Sequence, residues 1–211
     1  MDRLWRVGGR AVAAAALLLS GARARSHEVG SSEERVFRLF NDAPDGAHVP
    51  VWTVMQSGSL GAVFVVSGEL YRRGSSRSAA TSLVAGVIVW GGVKLVKPLV
   101  GRGRPERHLD DVSVRGPAQT GLGYPSGHGA VSLTLAIIAT GDRHPAVRAV
   151  AVAVAAATGG ARMYVGAHLP LDVIGGFAIG ALCGEAARAV QRAGQAGCAM
   201  TAVASADPLS A

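Results

Sequence analysis

The stretch Arg162-Met163-Tyr164-Val165-Gly166-Ala167-His168-Leu169-Pro170-Leu171-Asp172 decides how this chain folds. It places an arginine, a histidine and an aspartate within a short run of otherwise apolar sequence. Ionisable groups are costly in apolar surroundings, so they usually face a partner, a cavity or a substrate.

Pro170 suits the first turn of a helix, because its missing N–H would have been unpaired there in any case. Asp172 then lies in that first turn, where the helix dipole favours a negative charge. A carboxylate within reach of one ring nitrogen of His168 fixes the tautomer and leaves the other nitrogen as a nucleophile or base. By itself the pattern is explained equally well by a histidine that caps a helix and an aspartate that satisfies it.

The composition indicates a membrane protein of one domain. Of 211 residues 49% are hydrophobic and only 17% are charged. The runs Val51–Gly68 and Ser78–Val93 contain no charged residue and, with their flanks, approach the roughly 20 apolar residues that a spanning helix needs. Cys183 and Cys198 form no disulfide or metal pattern.

The net charge of +7 first suggests nucleic-acid binding. The arginines, however, lie at the ends of apolar runs and are not interleaved with aromatic residues, which favours a membrane surface and an anionic substrate. We predict no nucleic-acid partner, and the sequence predicts no oligomeric state.

We predict an all-α fold, a polytopic membrane bundle of about six helices. Residues 1–30 form an N-terminal membrane helix or a signal-like segment, since Ala22-Arg23-Ala24 resembles a cleavage site. Residues 31–190 form the helical bundle, and residues 191–211 form a flexible tail. The predicted spans are Trp52–Leu70, Ala79–Val100, Pro125 to about Thr140, Ala146–Val165 and Pro170–Val190.

Two local patterns refine this layout. Ser31-Ser32-Glu33-Glu34 predicts a helix start with a capping box, and the helix that follows lies in the membrane interface or packs on the domain as a surface helix. Gly176, Gly180 and Gly184 recur at four-residue spacing, which lets membrane helices approach closely.

The arginines also predict an orientation in the plasma membrane. If the turn with Arg72, Arg73 and Arg77 is cytoplasmic, the N-terminus and the other basic turns are cytoplasmic too, as the positive-inside rule requires. Lys97, the loop Gly101–Tyr124 and His168 then lie at the extracytoplasmic face.

Two further stretches carry candidate chemistry. In Lys97-Pro98-Leu99-Val100-Gly101-Arg102-Gly103-Arg104-Pro105, Lys97 and Arg104 can converge on one anion or form a basic collar for lipid headgroups. In Tyr124-Pro125-Ser126-Gly127-His128-Gly129, the amides of Ser126, Gly127 and His128 at a helix start and the Ser126 hydroxyl suit an anion. His128 is a second histidine on the same face, although a capping role explains it equally well alone.

All three stretches fall at the outer ends of predicted spans, so they can meet in one pocket. Lys97, Arg104 and Arg162 supply positive charge there, as stabilisation of a phosphoryl group requires. One histidine can attack phosphorus while the other protonates the leaving oxygen.

The pattern Lys-x6-Arg-Pro, Pro-Ser-Gly-His and Arg-x5-His-x3-Asp, spanning Lys97–Asp172, resembles the signature of the type 2 phosphatidic acid phosphatase superfamily. That superfamily includes lipid phosphate phosphatases, and vanadium haloperoxidases share its pocket. The resemblance implies that His168 is the nucleophile, that Asp172 orients it and that His128 is the general acid. The phosphate ligands that it implies are Lys97, Arg104, Ser126, Gly127 and Arg162. No metal or cofactor is implied.

One departure stands out, because Ala161 occupies a position where the family often has serine. The lost hydroxyl removes about one hydrogen bond, worth about 0.5–1.5 kcal/mol, so we expect altered affinity and not an inactive site.

The sequence thus predicts a membrane enzyme that hydrolyses a lipid phosphomonoester or diphosphate, such as polyprenyl diphosphate or phosphatidic acid. The lipid tail stays in the bilayer while the headgroup occupies the basic pocket. The alternatives are a vanadate-dependent haloperoxidase-like enzyme and a non-enzymatic lipid-phosphate binder or transporter.

Overall fold

The computed structural model describes residues 2–117 and 119–205, and within these ranges every regular element is a helix. The α-helices are α1 (Asp2–Ala24), α2 (Ser31–Asn41), α3 (His48–Met55), α4 (Leu60–Arg72), α5 (Ser76–Val100), α6 (Gly127–Thr140), α7 (Pro145–Tyr164) and α8 (Pro170–Ser205). The predicted all-α class is confirmed, with eight helices in the described residues where about six were expected.

Three of these helices, α5, α7 and α8, are long and apolar enough to cross a membrane. The pair α3 and α4 makes a fourth crossing if the two helices count as one span. α6 is apolar but shorter than a full span. The chain is therefore a multi-pass membrane protein built from helices of unequal length.

The predicted continuous span Trp52–Leu70 is wrong, because α3 and α4 meet at an angle of 67°. A single 3-10 turn, Gln56–Gly58, separates them, and the Ser59 hydroxyl caps α4 by accepting from the Ala62 amide at 3.2 Å. A Cβ at Gly58 would overlap the carbonyl oxygen of His128. The glycine therefore lets the break pack directly against the first turn of α6.

Two helix starts also differ from the sequence prediction. α2 is present, but its N-cap residue is Gly30 and it has no side-chain cap, so the predicted capping box is wrong. Glu33 points instead to Arg102, whose guanidinium it accepts from at 2.8 Å. α6 begins at Gly127 and not at Pro125, because Ser126 is its N-cap and accepts from the Gly129 amide at 3.4 Å.

The C-terminal end differs as well. Residues 191–205 continue α8, whereas the sequence predicted a flexible tail there. This segment is rich in alanine, the strongest helix former. Residues 206–211 of the predicted tail lie outside the described residues.

α6 lies at the centre of the bundle and packs against α8 through a line of glycines. A Cβ at Gly180 would come within 2.5 Å of the Ala130 carbonyl oxygen, and one at Gly184 would come within 2.9 Å of Ile137. A Cβ at Gly176 would overlap the carbonyl oxygen of Ser126. The predicted close approach is thus present, and it brings the start of α8 beside the start of α6.

The two ends of the bundle differ in chemistry. At one end Arg188 pairs with Asp142 at 2.8 Å, and Arg77 donates to the Gln191 carbonyl at 3.4 Å. These contacts tie the first turn of α5 and the turn before α7 to α8. At the opposite end lie the starts of α6 and α8, where the predicted site residues gather.

Substitution of two helical glycines by alanine tests this packing. Gly180→Ala inserts a methyl group against the Ala130 carbonyl, and we expect it to destabilise the protein by about 1–3 kcal/mol. Gly68→Ala on α4, where a Cβ meets no atom within 4 Å, is the matched control and gains up to about 1 kcal/mol in helix propensity. Unfolding temperatures in detergent measure both, and equal temperatures for the two variants would contradict the packing described.

Candidate active site

His168 and Asp172 form a buried pair at the junction of α7 and α8. His168 Nδ1 lies 3.4 Å from Asp172 Oδ2, and Nε2 lies 3.2 Å from Arg104 Nη1. A guanidinium has donors only, so Nε2 is the acceptor in the second contact. The proton therefore resides on Nδ1, facing the carboxylate, and Nε2 carries the free electron pair.

Asp172 is completely buried, and every polar atom of its carboxylate has a partner. The Leu169 amide donates to Oδ2 at 3.0 Å, and Arg102 Nη1 donates to Oδ1 at 3.4 Å. The Ser126 amide donates to the Asp172 backbone carbonyl at 2.8 Å. A buried carboxylate is tolerated only when it is paired and hydrogen-bonded, as here.

Two arginines in the site have no carboxylate partner in the described parts of the chain. Arg104 donates to the Ala167 carbonyl at 2.7 Å, and Arg162 donates to Gln119 Oε1 at 3.3 Å and to Met55 Sδ at 3.2 Å. The Nε atoms of both arginines are buried and find no acceptor within residues 2–117 and 119–205. Such unneutralised donors suit an anion with several oxygens.

Lys97 is anchored differently. Its ammonium donates to the carbonyls of Leu122, Gly123 and Pro125 at 2.8, 2.9 and 3.2 Å. All three donors are thus engaged with the loop that precedes α6. Lys97 holds this loop in place, and a role as phosphate ligand requires that it exchange a carbonyl for a phosphate oxygen.

The start of α6 supplies the third part of the site. The Ser126 amide, which the sequence analysis assigned to an anion, is already bonded to Asp172. The amides of Gly127 and His128 lie in the first turn, where helix N–H groups have no partner within the helix. The His128 ring is half-buried and makes no hydrogen bond to the described residues.

Burial lowers the pKa of His168 well below its ordinary value, and the positive charges of Arg162 and Arg104 lower this pKa further. Lys97 and His128 act in the same direction. The imidazole is consequently neutral at physiological pH, and its Nε2 electron pair accepts the hydrogen bond from Arg104. The structure thus brings His168 into the electrostatic field of each of these four groups.

Three residues that contact this site were not predicted from the sequence. Arg102 pairs with Asp172 and with Glu33, and Gln119 accepts a hydrogen bond from Arg162. Arg102 lies inside the stretch Lys97–Pro105, and its position between Gly101 and Gly103 is the one feature of the sequence that could have marked it as a site residue. Nothing in the local sequence connects Glu33, about 70 residues away, with Arg102.

Ala161, the departure from the family pattern, is buried in an apolar cluster with Met55 and Tyr164. Within the described residues no three or more His, Cys, Asp or Glu side chains form a group that could hold a metal ion.

Among solved structures the chain is similar to LpxE of Aquifex aeolicus, with a TM-score of 0.66 and 26% identity over 76% of this chain and 96% of that one. It is also similar to a PAP2-type transmembrane phosphatidylglycerolphosphate phosphatase of Bacillus subtilis. That match has a TM-score of 0.61 and 18% identity over 83% of this chain and 94% of that one, so it shows the fold alone.

No curated protein matches the sequence. The family model described as the PAP2 superfamily matches residues 77–194, more than half of the chain. These residues contain α5 to α7, most of α8 and both members of the His168–Asp172 pair. The chain therefore belongs to the PAP2 superfamily.

Proposed function

We propose that this protein is an integral membrane lipid phosphate phosphatase that works through a phosphohistidine on His168. Its substrate is a lipid phosphomonoester or diphosphate, such as polyprenyl diphosphate, phosphatidic acid or a related lipid. The observation that carries the proposal is the neutral His168, whose Nε2 faces the unneutralised guanidinium of Arg104 while Nδ1 faces a buried carboxylate. Anion binding alone needs no such pair.

In the first step Nε2 of His168 attacks phosphorus, and the bond between phosphorus and the leaving oxygen breaks. The negative charge of the bound phosphate offsets that of Arg104 and Arg162, so His128 takes up a proton when substrate binds. His128 then donates this proton to the leaving oxygen, and the lipid leaves as an alcohol or as a monophosphate. The Nδ1 proton faces Asp172, which stabilises the positive charge that develops on the imidazole. Arg104, Arg162 and the amides of Gly127 and His128 bind the phosphoryl oxygens as their charge spreads.

In the second step water attacks the phosphohistidine, and His128, now neutral, accepts a proton from that water. The bond between Nε2 and phosphorus breaks, phosphate leaves, and both histidines return to their initial states. The chain's own residues supply every proton transfer in this scheme, so we propose that turnover is independent of a metal ion.

A lateral groove supports a lipid substrate. It has a volume of about 600 Å³ and is lined almost entirely by apolar side chains of α1, α5 and α8, among them Leu17, Ile88, Val96 and Ile179. Tyr124 lies in its wall, within the loop that Lys97 holds and two residues before Ser126. An acyl or prenyl chain in this groove places its headgroup close to the cationic pocket.

We propose a plasma-membrane location with the site at the extracytoplasmic face, and the charge distribution supports this orientation. The end of the bundle that contains Arg77 and Arg188 also contains the basic turns after α4 and α6. The positive-inside rule assigns such an end to the cytoplasm. The site then faces the outer side of the bilayer.

Phosphate release by the purified protein tests the chemistry. The substrates are polyprenyl diphosphate, phosphatidic acid, lysophosphatidic acid and phosphatidylglycerophosphate, each with chelator present and each repeated with His168→Ala. We expect at least one lipid to be hydrolysed with chelator and the variant to lose about 1,000-fold or more, because the nucleophile is absent. Acid-labile phosphate on the wild-type chain after a quench is expected as well.

Three other results of this assay would contradict parts of the proposal. Turnover that His168→Ala preserves would show that the proposed nucleophile is wrong. Lipid binding without release of phosphate by either protein would favour the binder. Activity abolished by chelator and restored by a divalent ion would refute metal independence.

Two neighbouring glycines of α5 test the groove. Gly92 lines it and Gly91 does not, and a Cβ at either meets no atom within 4 Å. Gly92→Leu excludes about two methylenes of the lipid chain, about 1.6 kcal/mol, so we expect kcat/KM for a long-chain substrate to fall about tenfold. Gly91→Leu and a short-chain substrate are the controls. A similar fall for both variants, or for both chain lengths, would rule out the groove as the tail site.

Reporter fusions test the orientation. Because α8 leaves the site towards the proposed cytoplasmic end, a fluorescent protein fused after residue 211 should mature, and a periplasmic alkaline phosphatase reporter fused there should stay inactive. The opposite pattern would place the site in the cytoplasm.

A further inference from the structure

Arg102 is as completely enclosed as Asp172, although it carries the opposite charge. Its exposed fraction is 0%, and its guanidinium lies between two carboxylates. Nη1 and Nη2 reach Glu33 Oε1 and Oε2 at 2.9 and 2.8 Å, while Nη1 also reaches Asp172 Oδ1 at 3.4 Å. Unlike Arg104 and Arg162, it is already matched by negative charge, so it is not a candidate phosphate ligand.

Glu33 makes a second contact that links it to the same carboxylate. Its Oε1 accepts from the Leu171 amide at 3.0 Å, one residue before Asp172. The side chain is only 9% exposed, so both contacts are shielded from water. Glu33 therefore holds the start of α8 both through Arg102 and through the backbone.

α2, which carries Glu33, docks on the segment that carries the nucleophile. Phe37 is fully buried and packs in a cluster with Leu169 and Val173, which flank the His168–Asp172 pair. On another side of the helix, Val36 and Leu39 are 41% and 77% exposed, as expected for a helix at a membrane interface. α2 precedes the segment that matches the PAP2 superfamily, which begins at residue 77.

We propose that Glu33 and Arg102 form a positioning unit that fixes the carboxylate of Asp172, and through it the ring of His168, so that docking of α2 is required for full turnover. Arg102 holds Oδ1 while the Leu169 amide holds Oδ2, which sets the plane of the carboxylate. A carboxylate in a fixed plane directs the Nδ1 proton and aims Nε2 at the phosphoryl site. This inference rests on the proposed phosphatase function.

The unit makes a prediction that separates positioning from substrate binding. Arg102→Met and Glu33→Ala should lower kcat about 10- to 100-fold, the size expected when the outer partner of a functional group is removed. KM and inhibition by orthovanadate, a phosphate mimic, should change by less than about twofold, because Arg104 and Arg162 remain in place. Arg102→Lys and Glu33→Gln keep shape and part of the bonding, so their kcat values should fall between wild type and the truncations.

Arg38→Met is the matched control. Arg38 also lies on α2 and donates to the carbonyls of Asp110 and Asp111 at 2.7 and 3.0 Å, but it has no contact with Asp172. The substitution thus removes a contact that holds α2 in place but leaves Glu33 and Arg102 unchanged. We expect its kcat to stay within about twofold of wild type, as for a surface contact.

The Glu33, Arg102 and Arg38 variants are measured together with wild type and His168→Ala. Wild-type values of kcat for both Glu33→Ala and Arg102→Met would overturn the positioning unit while leaving the phosphatase intact. An equal loss in Arg38→Met, or a parallel loss of vanadate inhibition, would also overturn it, because the effect would then be general disruption. A wild type inactive on all lipids would count against the proposed function itself. If the truncations fail to fold, Arg102→Lys and Glu33→Gln decide, and unchanged kcat in both would contradict the unit.

Discussion

The buried carboxylate of Asp172 is the constraint on which the rest of the site depends. Three groups meet on this carboxylate, namely the Leu169 amide, Arg102 and His168, and the Ser126 amide donates to the backbone carbonyl of the same residue. A charge removed from water is stable only if such partners are held in place. The fold therefore has to bring the starts of α6 and α8 and the loop after α5 to one point, and the glycines of α8 and the break at Gly58 make room for this.

Opposite this carboxylate the protein gathers positive charge that it does not neutralise. Lys97, Arg104 and Arg162 repel one another, and burial strengthens that repulsion. They are held by neutral acceptors, namely carbonyls, an amide oxygen and a thioether. Neutral acceptors satisfy the donors but leave the positive charge unbalanced. We expect this arrangement to favour a bound anion and to lower the stability of the protein without one.

Features that depend on residues close together in sequence were predicted, whereas contacts between residues distant in sequence were not. The helix start at Pro170, the pairing of His168 with Asp172 and the close packing at Gly180 follow from spacings of a few residues, which sequence displays directly. The break after Met55 was missed because hydropathy averages over Gln56–Ser59, although the polar residues and glycine there are suited to end one helix and cap the next. The roles of Glu33 and of the Ser126 amide depend on partners far away in sequence, and no local periodicity encodes them.

Arg104 donates to the same electron pair of Nε2 that the proposed attack uses. A lone pair engaged by a charged donor is a poor nucleophile, so the imidazole of the free protein is masked. In the proposed mechanism the oxygens of a phosphate ester compete for the guanidinium, so substrate binding frees Nε2 when phosphorus is within reach. An electrophile without such oxygens does not compete for Arg104, so we expect the proposed nucleophile to react slowly with acylating or alkylating agents.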